Sequence, residues 1–182
     1  MDETKEKQAS NENCMSRRKL LKTAGCAGAA ALLAVGMSSK AGASINSTYP
    51  QVRIGNLKDV KEGNPVKFDY PLIGRKSVLI DCGCVVEGGI GPKKSIVAYS
   101  MFCTHLGCGV ELDGSSQMLV CECHQTVYNP KESGRVVEGP APSNLPMVSL
   151  DIDSSSGDIF AVGVAGLIYG LRNNLLDGKE VK

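Results

Sequence analysis

Two histidines occur in this 182-residue chain, and each lies inside a short cysteine cluster. The first cluster reads Cys103-Thr104-His105-Leu106-Gly107-Cys108 and the second Cys121-Glu122-Cys123-His124-Gln125-Thr126. Both clusters therefore offer an imidazole and two thiols. Thiolates are soft, anionic ligands and imidazoles neutral ones, and together they suit zinc or an iron–sulfur centre. Zinc fingers usually place Cys-x(2–4)-Cys ahead of His-x(3–5)-His, whereas here cysteine and histidine are mixed within each cluster. Two unconnected disulfide turns would leave the position of both histidines unexplained.

The Cys-x-His and Cys-x-x-His pairs resemble those of Rieske proteins, in which one iron of a [2Fe–2S] cluster is held by two cysteines and the other by two histidines. The resemblance implies iron binding by Cys103, His105, Cys121 and His124. Imidazole ligands leave more positive charge on the cluster than thiolates do, so it takes up an electron more readily. Such centres span roughly −150 to +300 mV, against about −400 mV for plant-type all-cysteine ferredoxins.

The same resemblance implies roles for the neighbouring residues. Cys108 and Cys123 stand where disulfide-containing members tie the two loops together, which points to an oxidising compartment. Thr126 and Tyr128 occupy the serine and tyrosine positions whose hydroxyls donate to cluster sulfurs, favouring the reduced state. Gly139-Pro140-Ala141-Pro142 resembles the stiff proline loop that covers the cluster. Glu122 and Gln125 replace the commoner proline and glycine, which puts an extra carboxylate near the centre.

Ser16-Arg17-Arg18-Lys19-Leu20-Leu21-Lys22 resembles a twin-arginine export signal, followed by an Ala- and Gly-rich apolar stretch over 24–37 and a small-x-small site at Ala41-Gly42-Ala43. The stretch is shorter than the ~20 apolar residues a spanning helix needs, so residues 1–43 read as a cleaved signal and the protein as periplasmic. Membrane association is expected only if that segment is retained. Residues 1–43 hold seven of the 20 basic and four of the 19 acidic side chains, leaving 13 and 15, a net charge of −2. Nothing in that balance suggests nucleic acid binding.

Residues 44–182 fit one domain, with little helical period and short strand-like runs at 51–54, 66–70, 77–80, 95–100, 118–120, 147–151 and 159–164. The expected fold is all-β, an antiparallel β-sandwich of the Rieske type, with the cluster loops in a small subdomain over about 100–142 inserted between strands of the base. Cys82 and Cys84 follow one strand and read as semi-buried thiols facing inward together.

Beyond the clusters, Phe68-Asp69-Tyr70-Pro71, Gly88-Gly89-Ile90-Gly91-Pro92, Ile96-Val97-Ala98-Tyr99-Ser100 and the run from Ala161 to Gly170 resemble the small subunit of arsenite oxidases. That resemblance implies an electron-transfer subunit. Its partner would be a large molybdopterin-containing subunit that performs the chemistry, and its acceptor a soluble cytochrome c or small copper protein. The lid Gly139-Pro140-Ala141-Pro142 is more typical of cytochrome bc complexes, which keeps a membrane quinol-oxidising complex as the alternative. No Ser/His/Asp set or carboxylate pair for substrate chemistry is evident, so the chain alone is expected to convert no substrate.

Overall fold

Alternating apolar residues and closely spaced turns give an all-β chain. The computed structural model describes residues 49–176 and 178–181; the twin-arginine segment and its cleavage site lie outside them. Six strands form one antiparallel sheet: β1 (Val52–Asn56), β2 (Val66–Asp69), β3 (Lys76–Asp81), β4 (Ile96–Ser100), β9 (Met147–Ile152) and β10 (Asp158–Ala165), in the order β1-β10-β9-β4-β3-β2. Tyr49 stacks on Tyr70 with ring centroids 6.3 Å apart, and the Tyr70 hydroxyl donates to the Pro50 carbonyl at 2.9 Å. These contacts draw the two edges of the sheet together, so that it nearly closes.

The chain between β4 and β9, neighbours in that sheet, carries the whole of a second one. It contains β5 (Glu111–Leu112), β6 (Leu119–Cys121), β7 (Thr126–Asn129) and β8 (Arg135–Glu138), paired in sequence order, with a 3-10 turn at Pro130–Glu132 between the last two. Asn129 caps that turn by accepting from the Lys131 amide, and Pro130 supplies a preset φ at its start.

Strands β3 and β4 explain how the sheets are held together. Every residue of β4 is buried, as in a strand covered on both faces. Val97 and Tyr99 face one core with Val78, Ile80, Val110, Leu119 and Tyr128, which joins the two sheets. Ile96 and Ala98 point the other way, into a core with Leu79, Val148, Ile159 and Ala161 inside the six-stranded sheet. Period-two geometry thus sends alternate residues of one strand to two cores. The Tyr99 hydroxyl crosses between sheets and donates to the Pro130 carbonyl at 2.8 Å. Lys67 and Glu111 also bridge them at 2.5 Å, but both are exposed, so that pair contributes little.

The structure corrects the expectation for Cys82 and Cys84. Strand β3 ends at Asp81, and Gly83 adopts a φ of 68°, which breaks the alternation. Cys82 is buried and Cys84 exposed. Burial pushes the Cys82 thiol up to about 11, with Cys84 adding to the effect, so it stays protonated and inert at neutral pH.

Candidate metal centre

Two loops from the second sheet and its approach converge at one end of the shared core. The first runs from Cys103 to Cys108 after β4 and is closed by its own backbone: Cys103 donates to the Cys108 carbonyl at 2.9 Å and Gly107 to the Cys103 carbonyl at 2.8 Å. The second is the turn joining β6 to β7, in which Gln125 has a φ of 54°. A left-handed backbone favours glycine and costs other residues roughly 1–2 kcal/mol. That is why glycine is the natural residue at this turn, and the Gln125 side chain steadies it by donating to the Glu122 carbonyl at 2.9 Å.

Cys108 and Cys123 form a disulfide across a sequence separation of 15, with Cα atoms 6.5 Å apart. Closing a loop of that length stabilises a fold by about 3 kcal/mol in the chain-entropy account. The bridge ties the first loop to the second. The sulfurs of Cys108, Cys121 and Cys123 lie within 4.8 Å of one another. Two of these are spent on the disulfide, so of the three only Cys121 offers a thiolate.

Cys103 and Cys121 are both buried and free, and their side chains interact. Burial opposes ionisation of Cys103, but hydrogen bonds from Tyr128, the His105 backbone and Cys121 outweigh it and hold the thiol below its ordinary range. Cys121 is pushed the other way by burial and by Cys103. The pair thus joins a thiol whose ionisation is favoured to a second buried thiol, a pairing that a cation stabilises.

His105 and His124 meet edge to face with ring centroids 4.6 Å apart. His124 is exposed, while His105 is half-buried with its Nδ1 shielded from solvent and without a hydrogen-bond partner. Thr126 Oγ1 is likewise buried and unpartnered. Buried polar atoms are nearly always satisfied, so two such atoms beside paired thiols are what a metal-bound group between the loops requires. Two thiols, two imidazoles and a hydroxyl fit an iron–sulfur cluster of mixed ligation.

The surroundings hold this set in place. The buried Tyr128 hydroxyl lies 3.1 Å from Cys103 Sγ and accepts from the Thr104 amide at 3.1 Å. Thr104 Oγ1 sends its own proton to the Ser143 carbonyl at 2.6 Å and lies 3.2 Å from the Tyr128 hydroxyl, so the tyrosine proton has the cysteine sulfur and the threonine oxygen as its two acceptors. The bond to Ser143 anchors the proline loop, whose Ala141 packs on the shared core. Gly139, at a φ of 93°, lies so close to β7 that a Cβ would come within 2.6 Å of Thr126 Cα and 2.8 Å of its hydroxyl. Glu122 is exposed.

These hydroxyls give a measurable expectation. A sulfur hydrogen bond that favours the reduced state by about 1 kcal/mol corresponds to roughly 40 mV for one electron. Tyr128→Phe is expected to lower the reduction potential by about that amount, and Thr126→Ala to move it the same way. Protein-film voltammetry checks both.

Fold and site together define an iron–sulfur electron carrier. Residues 51–149 match the Rieske [2Fe-2S] domain, and the chain belongs to that family and binds its [2Fe–2S] cluster. It is 36% identical over 164 residues to the iodate reductase subunit IdrB of Denitromonas iodatirespirans, covering 88% of this chain and 87% of that one. The iron–sulfur subunit of the rice (Oryza sativa subsp. japonica) chloroplast cytochrome b6-f complex is 42% identical over 62 residues, 33% of this chain and 27% of the relative. Among solved structures, the soluble domain of Rieske protein II (soxF) from Sulfolobus acidocaldarius superposes with a TM-score of 0.62 at 29% identity, over 69% of this chain and 83% of that one.

Proposed function

We propose that this chain is the one-electron relay of an exported, two-subunit oxidoreductase, moving electrons between a large molybdenum-containing subunit and a soluble cytochrome c or small copper protein. Cys103 and Cys121 hold one iron and His105 and His124 the other. When bound, the cluster supplies a single-electron couple. The protein's own residues shape that couple: Tyr128 donates to a ligand sulfur, the proline loop limits water, and the Cys108–Cys123 bridge keeps the loops in register. Exposed His124 and the neighbouring Leu106, which is 55% exposed, form the edge where a partner meets the site.

The observation that carries this reading is the span of the likeness to iodate reductase subunits. It runs through 88% of this chain and 87% of the relative. Likeness to the cytochrome b6-f subunit is confined to about a third of the chain, which weakens the reading as part of a quinol-oxidising membrane complex. A disulfide-bearing carrier suits an oxidising compartment, and the twin-arginine segment supports export of a protein folded around its cofactor.

For the partner's substrate, the relatives favour iodate reduction. The segments around Phe68, Gly88 and Ile168 support arsenite oxidation as a second reading. Purification of the native complex tests the proposal. A large molybdenum-containing subunit should accompany this chain, and the complex should either reduce iodate with a dye donor or oxidise arsenite with a dye acceptor. A chain recovered alone, or with a cytochrome b in membranes, would overturn it.

A further inference from the structure

The segment Gly166-Leu167-Ile168-Tyr169-Gly170 follows β10 and lies outside residues 51–149, yet it reaches back to the first cluster loop. A buried side-chain amide holds it to the base. Asn174, 5% exposed, accepts from the Ile168 amide at 2.9 Å and donates to the Gly166 carbonyl at 2.8 Å and the Tyr49 hydroxyl at 3.0 Å. Ile168 is fully buried against Leu72 and Leu171, with Phe102, the residue before Cys103, packed on the same cluster. A buried amide with three partners and a buried isoleucine leave this turn little freedom.

The turn sets the ring of Tyr169 against Gly107. A Cβ on Gly107 would overlap Tyr169 Cδ1 and come within 2.8 Å of Cε1, so the ring fills the space a side chain would take. Gly107 has a φ of 75° and its amide closes the loop onto the Cys103 carbonyl, with Cys103 and His105 inside that closure.

Resting on the ligand set proposed above, we infer that Tyr169 is a positioning residue for the cluster: held by Asn174, its ring clamps the Gly107 turn and so fixes Cys103 and His105. The clamp acts through packing rather than by touching the iron, so the flat ring carries the effect and the hydroxyl does not. Residues that orient metal ligands change affinity and electronics without being ligands themselves.

Tyr169→Ala, Tyr169→Phe and Asn174→Ala, each made in the full chain with its cluster, test this. In Tyr169→Ala the Gly107 amide should exchange with deuterium about tenfold faster. Its reduced EPR signal should broaden, and water reaching the loop should displace the equilibrium about threefold toward the more charged reduced state, roughly 30 mV. Asn174→Ala should shift in the same direction and Tyr169→Phe should match the unaltered protein. If Tyr169→Ala does not fold, Tyr169→Leu, which keeps apolar bulk without a flat ring, should give the same changes. Unchanged exchange, signal and potential in the Ala or Leu variant would overturn the clamp. So would a Phe variant as disturbed as the Ala one. Absence of a Rieske signal from the unaltered protein would instead remove the ligand assignment beneath it.

Discussion

Replacing His105 or His124 by alanine is expected to abolish the EPR signal and the visible colour of the reduced protein. His105 places a shielded, unpartnered Nδ1 between the loops, and the second ring lies against the first at 4.6 Å. Either substitution leaves two thiols and one imidazole, too few donors for a cluster that needs four. The loss should be of the cluster and not of the fold. The Cys108–Cys123 bridge still ties the loops, and the two cores that hold the sheets contain neither histidine. Far-UV circular dichroism should therefore change little, and Leu106→Ala, an exposed change between the same ligands, should keep its signal. A histidine variant with an unaltered signal would show that this ring does not bind iron.

What the sequence revealed follows the strength of its local signals. The seven strands expected from alternation are all present, because each has a half- or fully buried face that imposes period two. Strands β5, β7 and β8 were not visible. β5 has two residues, β8 is almost wholly exposed, and β7 begins directly after the metal loop, where ligand spacing masks its pattern. Several turns were equally silent because Lys94, Gln117, Gln125 and Ser133 adopt positive φ without being glycine. The loop-tying disulfide and the approach of Tyr128 to Cys103 appear where family resemblance placed them. Cys84 departs from expectation because a strand boundary, not a pattern, decides which way it faces. Asn174 carried no readable signal, and Tyr169 stood only within the run from Ala161 to Gly170 with no role attached, since a ring seated on Gly107 is a contact between segments far apart in the chain.

The second large effect concerns the division of labour between subunits. Among the described residues, both histidines stand against each other at the metal loops, and an open cavity of about 730 Å³ beside them is lined by Leu112, Val120, Cys123 and the carboxylates Glu111, Asp113 and Glu122. Those carboxylates sit on an exposed sheet edge with no nucleophile or base–acid pair shaped around a substrate, so this chain is expected to convert neither iodate nor arsenite by itself. On the proposed function its contribution is access: one face would dock on the large subunit while the edge at His124 would meet a soluble carrier. The separated large subunit should still exchange electrons with a small redox dye, which reaches its cofactors unaided. Its exchange with cytochrome c should fall about a hundredfold, equivalent to ~2.7 kcal/mol at the barrier, and recover when the cluster-loaded chain is added back. Addition of the His124→Ala chain should give no recovery, because docking alone moves no electron. Full cytochrome turnover by the large subunit alone would place the relay elsewhere, and substrate conversion by the small chain alone would overturn the division of labour.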